Sequence, residues 1–198
     1  MTGRLSSRRC VGLCLAATVI SSGLTGCRPT SPATRTIEPI YDKASGRLQI
    51  LKYDADGDGR VETFGYMDGS RVVRIEIDRN GDGTIDRWEY YGAQRRLERV
   101  GFSRAGDGRE DAWSFPDAGG AIERIELSTN RDGRANRIEH YRGGAVTLVE
   151  EDTNADGEMD QWSTYEQGRL TRVAFDPGHT GVPTQTLVYA ADGTVHVE

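Results

Sequence analysis

The stretch RVVRIEIDRNGDGTIDRWEYYG, residues 71 to 92, holds the plan of the whole chain. From Arg74 to Ile77, charged Arg74 and Glu76 alternate with Ile75 and Ile77, a period of two that sends successive side chains to opposite faces of a strand. An acidic bend rich in glycine follows from Asp78. A second strand-like run, IDRWEYY at 85 to 91, then leads to a turn at Gly92.

The same plan recurs along the chain. Asp-Gly pairs fall at Asp58-Gly59, Asp82-Gly83, Asp107-Gly108, Asp132-Gly133 and Asp156-Gly157, with successive spacings of 24, 25, 25 and 24 residues. A period of this length signals an array of one supersecondary unit, each needing its neighbours to bury its apolar side. Four residues after each aligned Asp stands Glu62, Asp86, Asp111, Asn136 or Asp160. Two further on come Phe64, Trp88, Trp113, Ile138 and Trp162, a column that contains all three tryptophans. Tyr66, Tyr90, Phe115, His140 and Thr164 follow at the same spacing, so the three columns share one strand face.

The preceding strands carry a second stripe of Leu51/Tyr53, Ile75/Ile77, Val100/Phe102, Ile125/Leu127 and Val173/Phe175. Arg74, Arg99, Arg124 and Arg172 occupy the alternate positions. They are expected either to form a ladder with carboxylates such as Glu89 and Glu139 on neighbouring strands or to be a plain solvated face. Breaks at Asp-Gly and Gly arrive about every 8 to 12 residues, which leaves no room for helices of several turns. The expected fold is all-β: an antiparallel β-hairpin repeat array of 24–25 residue period, with about a dozen short strands in an elongated twisted sheet or open meander. TIEPIY at 36 to 41 reads as half a unit. After Asp176 the segment PGHTGVP replaces the acidic loop, as expected of a capping unit.

The N-terminus is of a different kind. Arg4, Arg8 and Arg9 precede an apolar run from Val11 to Ile20, too short to span a bilayer as a helix, and small residues lead to Leu24-Thr25-Gly26-Cys27. This grammar resembles the signal peptide and lipobox of bacterial lipoproteins. The resemblance implies cleavage before Cys27 and acylation of its sulfur and new amino group, several chains together giving durable anchoring to a membrane. An ordinary secretory signal ending beside Cys27 is the alternative. Arg28 after the anchor, rather than Asp, resembles the sorting signal of outer-membrane lipoproteins, so the expected location is the cell envelope, at the outer rather than the inner membrane. The domains are then a signal peptide at 1–26, the lipidated Cys27 with a Pro/Ser/Thr tether at 27–39, and a β-repeat domain at 40–198.

Removing the leader also removes Cys10 and Cys14, so Cys27 is left without a disulfide partner or a free catalytic role. Without Arg4, Arg8 and Arg9 the 25 basic residues fall to 22 against 31 acidic, a net charge of about −9 that argues against nucleic acid and anionic membrane surfaces as partners.

The acidic bends carry the chemistry. Asp78, Asn80, Asp82, Thr84, Asp86 and Glu89 match the ligand positions of the EF-hand-type calcium loop, with oxygens at alternate positions, a glycine for the sharp turn and a closing Glu. Calcium takes six to eight oxygens, and a chain wrapped round the ion can aim alternate side chains inward. Asp54, Asp56, Asp58 and Glu62, and likewise Asp152, Asn154, Asp156 and Asp160, keep the early ligands but have Gly65 and Ser163 at the closing position. Ser103/Asp107/Asp111 is expected empty or weak, and Ser128/Asn130/Asp132/Asn136 intermediate. The loops resemble those of dockerins and thrombospondin type 3 repeats, in which such motifs bind calcium. Asp-Gly is equally the chemistry of tight turns, which accounts for one Asp and one Gly per loop.

His140, His179 and His196 lack a nucleophile partner or metal-ligand spacing, and the paired carboxylates belong to turns, so no enzyme is expected. Two functions remain. One is a lipid-anchored calcium-binding module that presents Trp88, Trp113 and Trp162 to a protein or glycan ligand; the other is a structural envelope spacer whose loops are plain turns. Burial of the tryptophans separates them.

Overall fold

The computed structural model describes residues 34–198. The leader, Cys27 and most of the tether lie outside the described residues. Fourteen strands follow one another: β1 Thr36–Tyr41, β2 Leu48–Asp54, β3 Thr63–Asp68, β4 Arg71–Ile77, β5 Arg87–Tyr91, β6 Leu97–Phe102, β7 Ala112–Pro116, β8 Ile122–Leu127, β9 Arg137–Arg142, β10 Ala145–Glu151, β11 Gln161–Glu166, β12 Arg169–Phe175, β13 Gln185–Tyr189 and β14 Val195–Val197. They form one open antiparallel meander in which each strand pairs with its sequence neighbours and β1 and β14 are the edges. The expected hairpin array is what the chain builds. Its β1 starts at Thr36, with Thr36 opposite Asp54 and Pro39 opposite Leu51, so the last four residues read as tether belong to the sheet. Pro39 is tolerated there because β1 is an edge strand.

Because strands alternate in direction, connections alternate between the two rims. Tight turns such as Gly69 and Gly143-Gly144 line one rim. The longer acidic connections after β2, β4, β6, β8, β10 and β12 all line the other. Two strand spacings separate adjacent acidic loops, about 9.5 Å.

The register assigns each face. Glu76 lies opposite Trp88, Gly101 opposite Trp113 and Glu150 opposite Trp162, while Arg74 lies opposite Tyr90 and Arg124 opposite His140. Arginines and aromatics therefore share one face, and the expected ladder to Glu89 and Glu139 does not form. Those two glutamates have the opposite parity, and a shift of one residue moves a side chain to the other face. Glu89 instead accepts from Arg87 Nε at 2.9 Å and Tyr91 Oη at 2.6 Å, and Glu139 from Arg137 Nε at 2.8 Å and Tyr141 Oη at 2.7 Å. Burial and then the glutamate bond push the Tyr91 and Tyr141 hydroxyls up to about 12.

On the aromatic face, Arg74 lies 4.2 Å over Tyr66, Arg99 4.1 Å over Tyr90 and Arg124 4.2 Å over Phe115, so guanidinium planes and rings alternate across β3 to β8. Glu76 holds Arg74 at 2.9 Å, and Glu126 Oε1 stands 2.9 Å from Arg124 Nε but out of line for a hydrogen bond. Cation–π contact at a partly exposed site contributes about 0.5 to 1 kcal/mol. On β6 the glutamate column has Gly101 instead. Glu110 folds down from the acidic loop that follows β6 into that space, accepting from Tyr90 Oη and from Trp113 Nε1 at 2.7 Å. A Cβ at Gly101 would overlap the Glu110 carboxylate. Gly101→Ala is expected to cost about 1 to 2 kcal/mol by displacing it, measured by urea denaturation, with no further loss when Glu110→Ala is added.

A single layer buries side chains only beneath their cross-strand neighbours. Trp88, Val100, Ala112, Val149 and Val173 are its buried apolar residues. Trp88 is 8% exposed, and Trp113 and Trp162 are half-buried. The tryptophan column therefore packs the sheet, with the indole N–H of Trp113 given to Glu110 and that of Trp162 to Glu150 at 3.2 Å.

Candidate metal centre

The first, second and fifth acidic loops are closed by the same set of bonds. In the second loop the Asp78 carboxylate, 6% exposed, accepts the N–H of Gly81 at 2.8 Å and of Gly83 at 2.7 Å. Asn80 Oδ1 accepts from the N–H of Asp82 at 3.0 Å, Asp82 Oδ1 from that of Thr84 at 2.8 Å, and Asp86 Oδ2 from that of Arg79 at 3.2 Å. The oxygens at positions one, three, five and nine thus all satisfy backbone donors that the bend leaves without strand partners. Backbone chemistry accounts for four positions, where the sequence alone assigned it one Asp and one Gly.

The fifth loop repeats this with Asp152 to Ala155 and Gly157 at 2.7 and 2.9 Å, Asn154 to Asp156 at 2.8 Å, Asp156 to Glu158 at 2.9 Å and Asp160 to Thr153 at 3.2 Å. PGHTGVP is a sixth member rather than a replacement. Asp176, 1% exposed, accepts from Thr180 and Gly181 at 2.6 Å each. Its spacing of 24 residues from Asp152, and of five to Gly181, was the available signal; the missing Asp-Gly pair concealed it.

The first loop differs from the rest in charge. Asp54 accepts from Gly57 at 2.6 Å and Gly59 at 3.0 Å, Asp56 from Asp58 at 3.1 Å, Asp58 from Arg60 at 2.7 Å and Glu62 from Ala55 at 2.7 Å. One carboxylate oxygen from each of Asp54, Asp56, Asp58 and Glu62 lies within 4.8 Å of the others, so this cluster could hold a metal ion. Among the described residues no ion pair involves any of the four. Like charges at that separation repel by about 1 kcal/mol per pair in water and about 3 to 4 kcal/mol at an effective dielectric constant near 20. A divalent cation reverses the sign of that term.

The second loop, the closest match in sequence, gathers less charge. Asn80 supplies no carboxylate and its amide donates to Asp82 Oδ2 at 3.0 Å. Glu89, its expected closing ligand, is taken up by Arg87 and Tyr91 on the sheet face, while Thr84 lends its backbone N–H to Asp82. In the third loop Arg131 reaches Asp107 at 2.5 Å, and in the fifth His179 Nδ1 stands 3.4 Å from Asp156 Oδ2.

The N–H bonds hold several loop carboxyls below the usual carboxylate range. For Asp82 the bond from Thr84 dominates, for Asp132 that from Arg134 and for Asp156 that from Glu158; at Asp176 burial pushes upward, and the N–H groups of Gly181 and Thr180 outweigh it. A carboxyl lowered on folding binds fewer protons folded than unfolded, so its contribution is present above about pH 4 and is lost as pH falls through the lower folded value. The urea midpoint is therefore expected to fall between about pH 5 and pH 3, with the rim loops opening first in amide exchange.

No family model matches the chain, and no curated protein does. Among solved structures, accessory secretory protein 1, 2 and 3 of Streptococcus pneumoniae aligns at 12% identity and TM-score 0.40 over 53% of this chain and 19% of that one. A GtfA/B complex bound to UDP and GlcNAc aligns at 12% and 0.25 over 74% and 25%, and TcdB2-TccC3-Cdc42 at 15% and 0.23 over 82% and 12%. The chain spans a quarter or less of each, and similarity at these scores carries nothing about its function.

Proposed function

We propose that this chain is a lipid-anchored, non-enzymatic module of the bacterial cell envelope whose first acidic loop binds calcium and stiffens the sheet. One observation carries the reading: the four convergent carboxylates of Asp54, Asp56, Asp58 and Glu62, without a basic partner among the described residues. Hard oxygens suit calcium or magnesium, and the flexible loop with several carboxylates suits the larger ion. Outside the cytoplasm calcium reaches millimolar levels, so even a dissociation constant of about 10⁻⁴ to 10⁻³ M gives occupancy. The lipobox around Cys27 supports the anchor, and Arg28 the outer membrane.

With the tryptophans committed to packing, a protein or glycan ligand would need another part of the face, and the spacer role becomes the simpler one. A spacer with plain turns is favoured by the backbone bonds at positions one, three, five and nine. The two readings part in a melt. Calcium at about 5 mM, above the expected dissociation constant, should raise the melting temperature of the protein, and Asp56→Asn should abolish the rise. No calcium effect in the wild type leaves plain turns.

A further inference from the structure

Position four of every acidic loop is held in the left-handed region: Gly57 at φ 79°, Gly81 at 73°, Gly106 at 68°, Arg131 at 58°, Ala155 at 63° and His179 at 51°. Four of these six have no basic side chain. The two that do, Arg131 and His179, each reach back across one repeat to the position-five acid of the preceding loop. Arg131 Nη2 lies 2.5 Å from Asp107 Oδ2 and its Nε 3.6 Å from Asp111 Oδ2; His179 Nδ1 lies 2.9 Å from the Asn154 amide and 3.4 Å from Asp156 Oδ2. The repeat thus contains an address: a side chain at position four of one loop stands over the acids of the loop before it.

The third loop shows what that seat wants. Asp111 is 3% exposed, its Oδ1 accepts the N–H of Arg104 at 2.9 Å, and its Oδ2 is sealed from solvent with no hydrogen bond. Asp111 also lines a cleft of about 360 Å³ between the third and fourth loops, with Asp107, Glu110, Arg131 and Asp132. A buried carboxylate oxygen without a donor is strongly unfavourable unless a cation stands beside it. Arg131 is the cation on that side, its Nε 3.6 Å from Oδ2 yet not bonded to it, while Arg104 Nε stands 3.4 Å from the other oxygen, Oδ1.

We infer that the fourth residue of each acidic loop decides whether the loop before it takes a divalent cation from solution, and that Arg131 is the resident cation of the third loop. The first loop has Gly81 at this address, so no side chain of the next repeat fills it, while the third is plugged from within. The inference rests on the cation reading of the first loop but is carried by the third. Space is available for the exchange: a Cβ at Gly81 or Gly106 meets no atom within 4 Å.

The test is a stoichiometry. Calcium chloride is titrated calorimetrically into the wild type, Gly81→Arg and Arg131→Gln, with Gly81→Ala controlling for backbone strain and Arg131→Lys keeping the charge. Far-ultraviolet dichroism establishes that each variant retains the sheet. Gly81→Arg should bind one ion fewer than Gly81→Ala and lose the melting-temperature rise with calcium. Arg131→Gln should bind one ion more than the wild type, Arg131→Lys should not, and adding Asp111→Asn to Arg131→Gln should remove the extra ion. Unchanged stoichiometry in both Gly81→Arg and Arg131→Gln overturns the inference while leaving the first-loop reading intact if the wild type binds. A wild type that binds nothing beside an Arg131→Gln variant that binds one ion supports the plug at the third loop and removes the first-loop reading. Binding by neither overturns both.

Discussion

Replacing Asp78 by alanine is expected to destabilise the protein by about 2 to 4 kcal/mol even in the presence of a chelator. The carboxylate accepts two backbone N–H groups, from Gly81 and Gly83, and is itself 6% exposed. Hydrogen bonds to an ionised acceptor contribute about 1.5 to 3 kcal/mol each, and the alanine leaves both donors unsatisfied. For a chain of this size that corresponds to a fall in melting temperature of roughly 5 to 15 °C. Asp78→Asn keeps one acceptor oxygen and should fall about half as far. An Asp78→Ala protein that melts like the wild type in chelator would mean that the residue serves only a metal, and that the bonds at the loop neck contribute nothing.

Trp88→Ala should be the most damaging single change on the sheet faces, at about 3 kcal/mol, the lower end for truncating a buried tryptophan because a one-layer sheet can relax. Trp88 lies between Glu76 on β4 and Gly101 on β6, where the absent side chain of Gly101 leaves room for Glu110. Trp88→Phe should recover most of the loss, since it restores ring volume without needing a partner for the indole N–H. Urea denaturation distinguishes this from a ligand-binding role: a Trp88→Ala protein of unchanged stability would return the column to the surface and to recognition.

The strand and loop alternation was legible because Asp-Gly pairs at 24 to 25 residues mark five of the six acidic connections. The shared face of Trp88 and Tyr90 followed from their spacing within one strand. What crosses from strand to strand was not legible in the same way. Whether Arg74 meets Glu89 or Tyr90 depends on register, which the loop between them sets, and the sequence offers both at a separation of one residue. Glu110 in the place of a Gly101 side chain is a further step removed, since it requires a loop residue to lie down on the sheet. The acids are ambiguous for the opposite reason. Their alternate spacing suits a cation and equally serves the N–H groups of a tight bend, and what singles out the first loop is its four converging carboxylates.

Charge separates the first loop from its copies. Asp56 stands where the second and fifth loops have Asn80 and Asn154, whose amides bond their own Asp82 and Asp156. A single amide-to-acid exchange therefore changes a self-satisfied bend into one that needs a counter-ion.

The most direct measurement is a calcium titration followed by backbone amide resonances of the isotopically labelled protein. Saturable shifts centred on Ala55, Gly57, Gly59 and Arg60, whose N–H groups bond Glu62, Asp54 and Asp58 of the cluster, are the predicted result. Resonances that stay in place up to millimolar calcium, or that move first around Arg131 and Asp107, would contradict the assignment of the cation to the first loop.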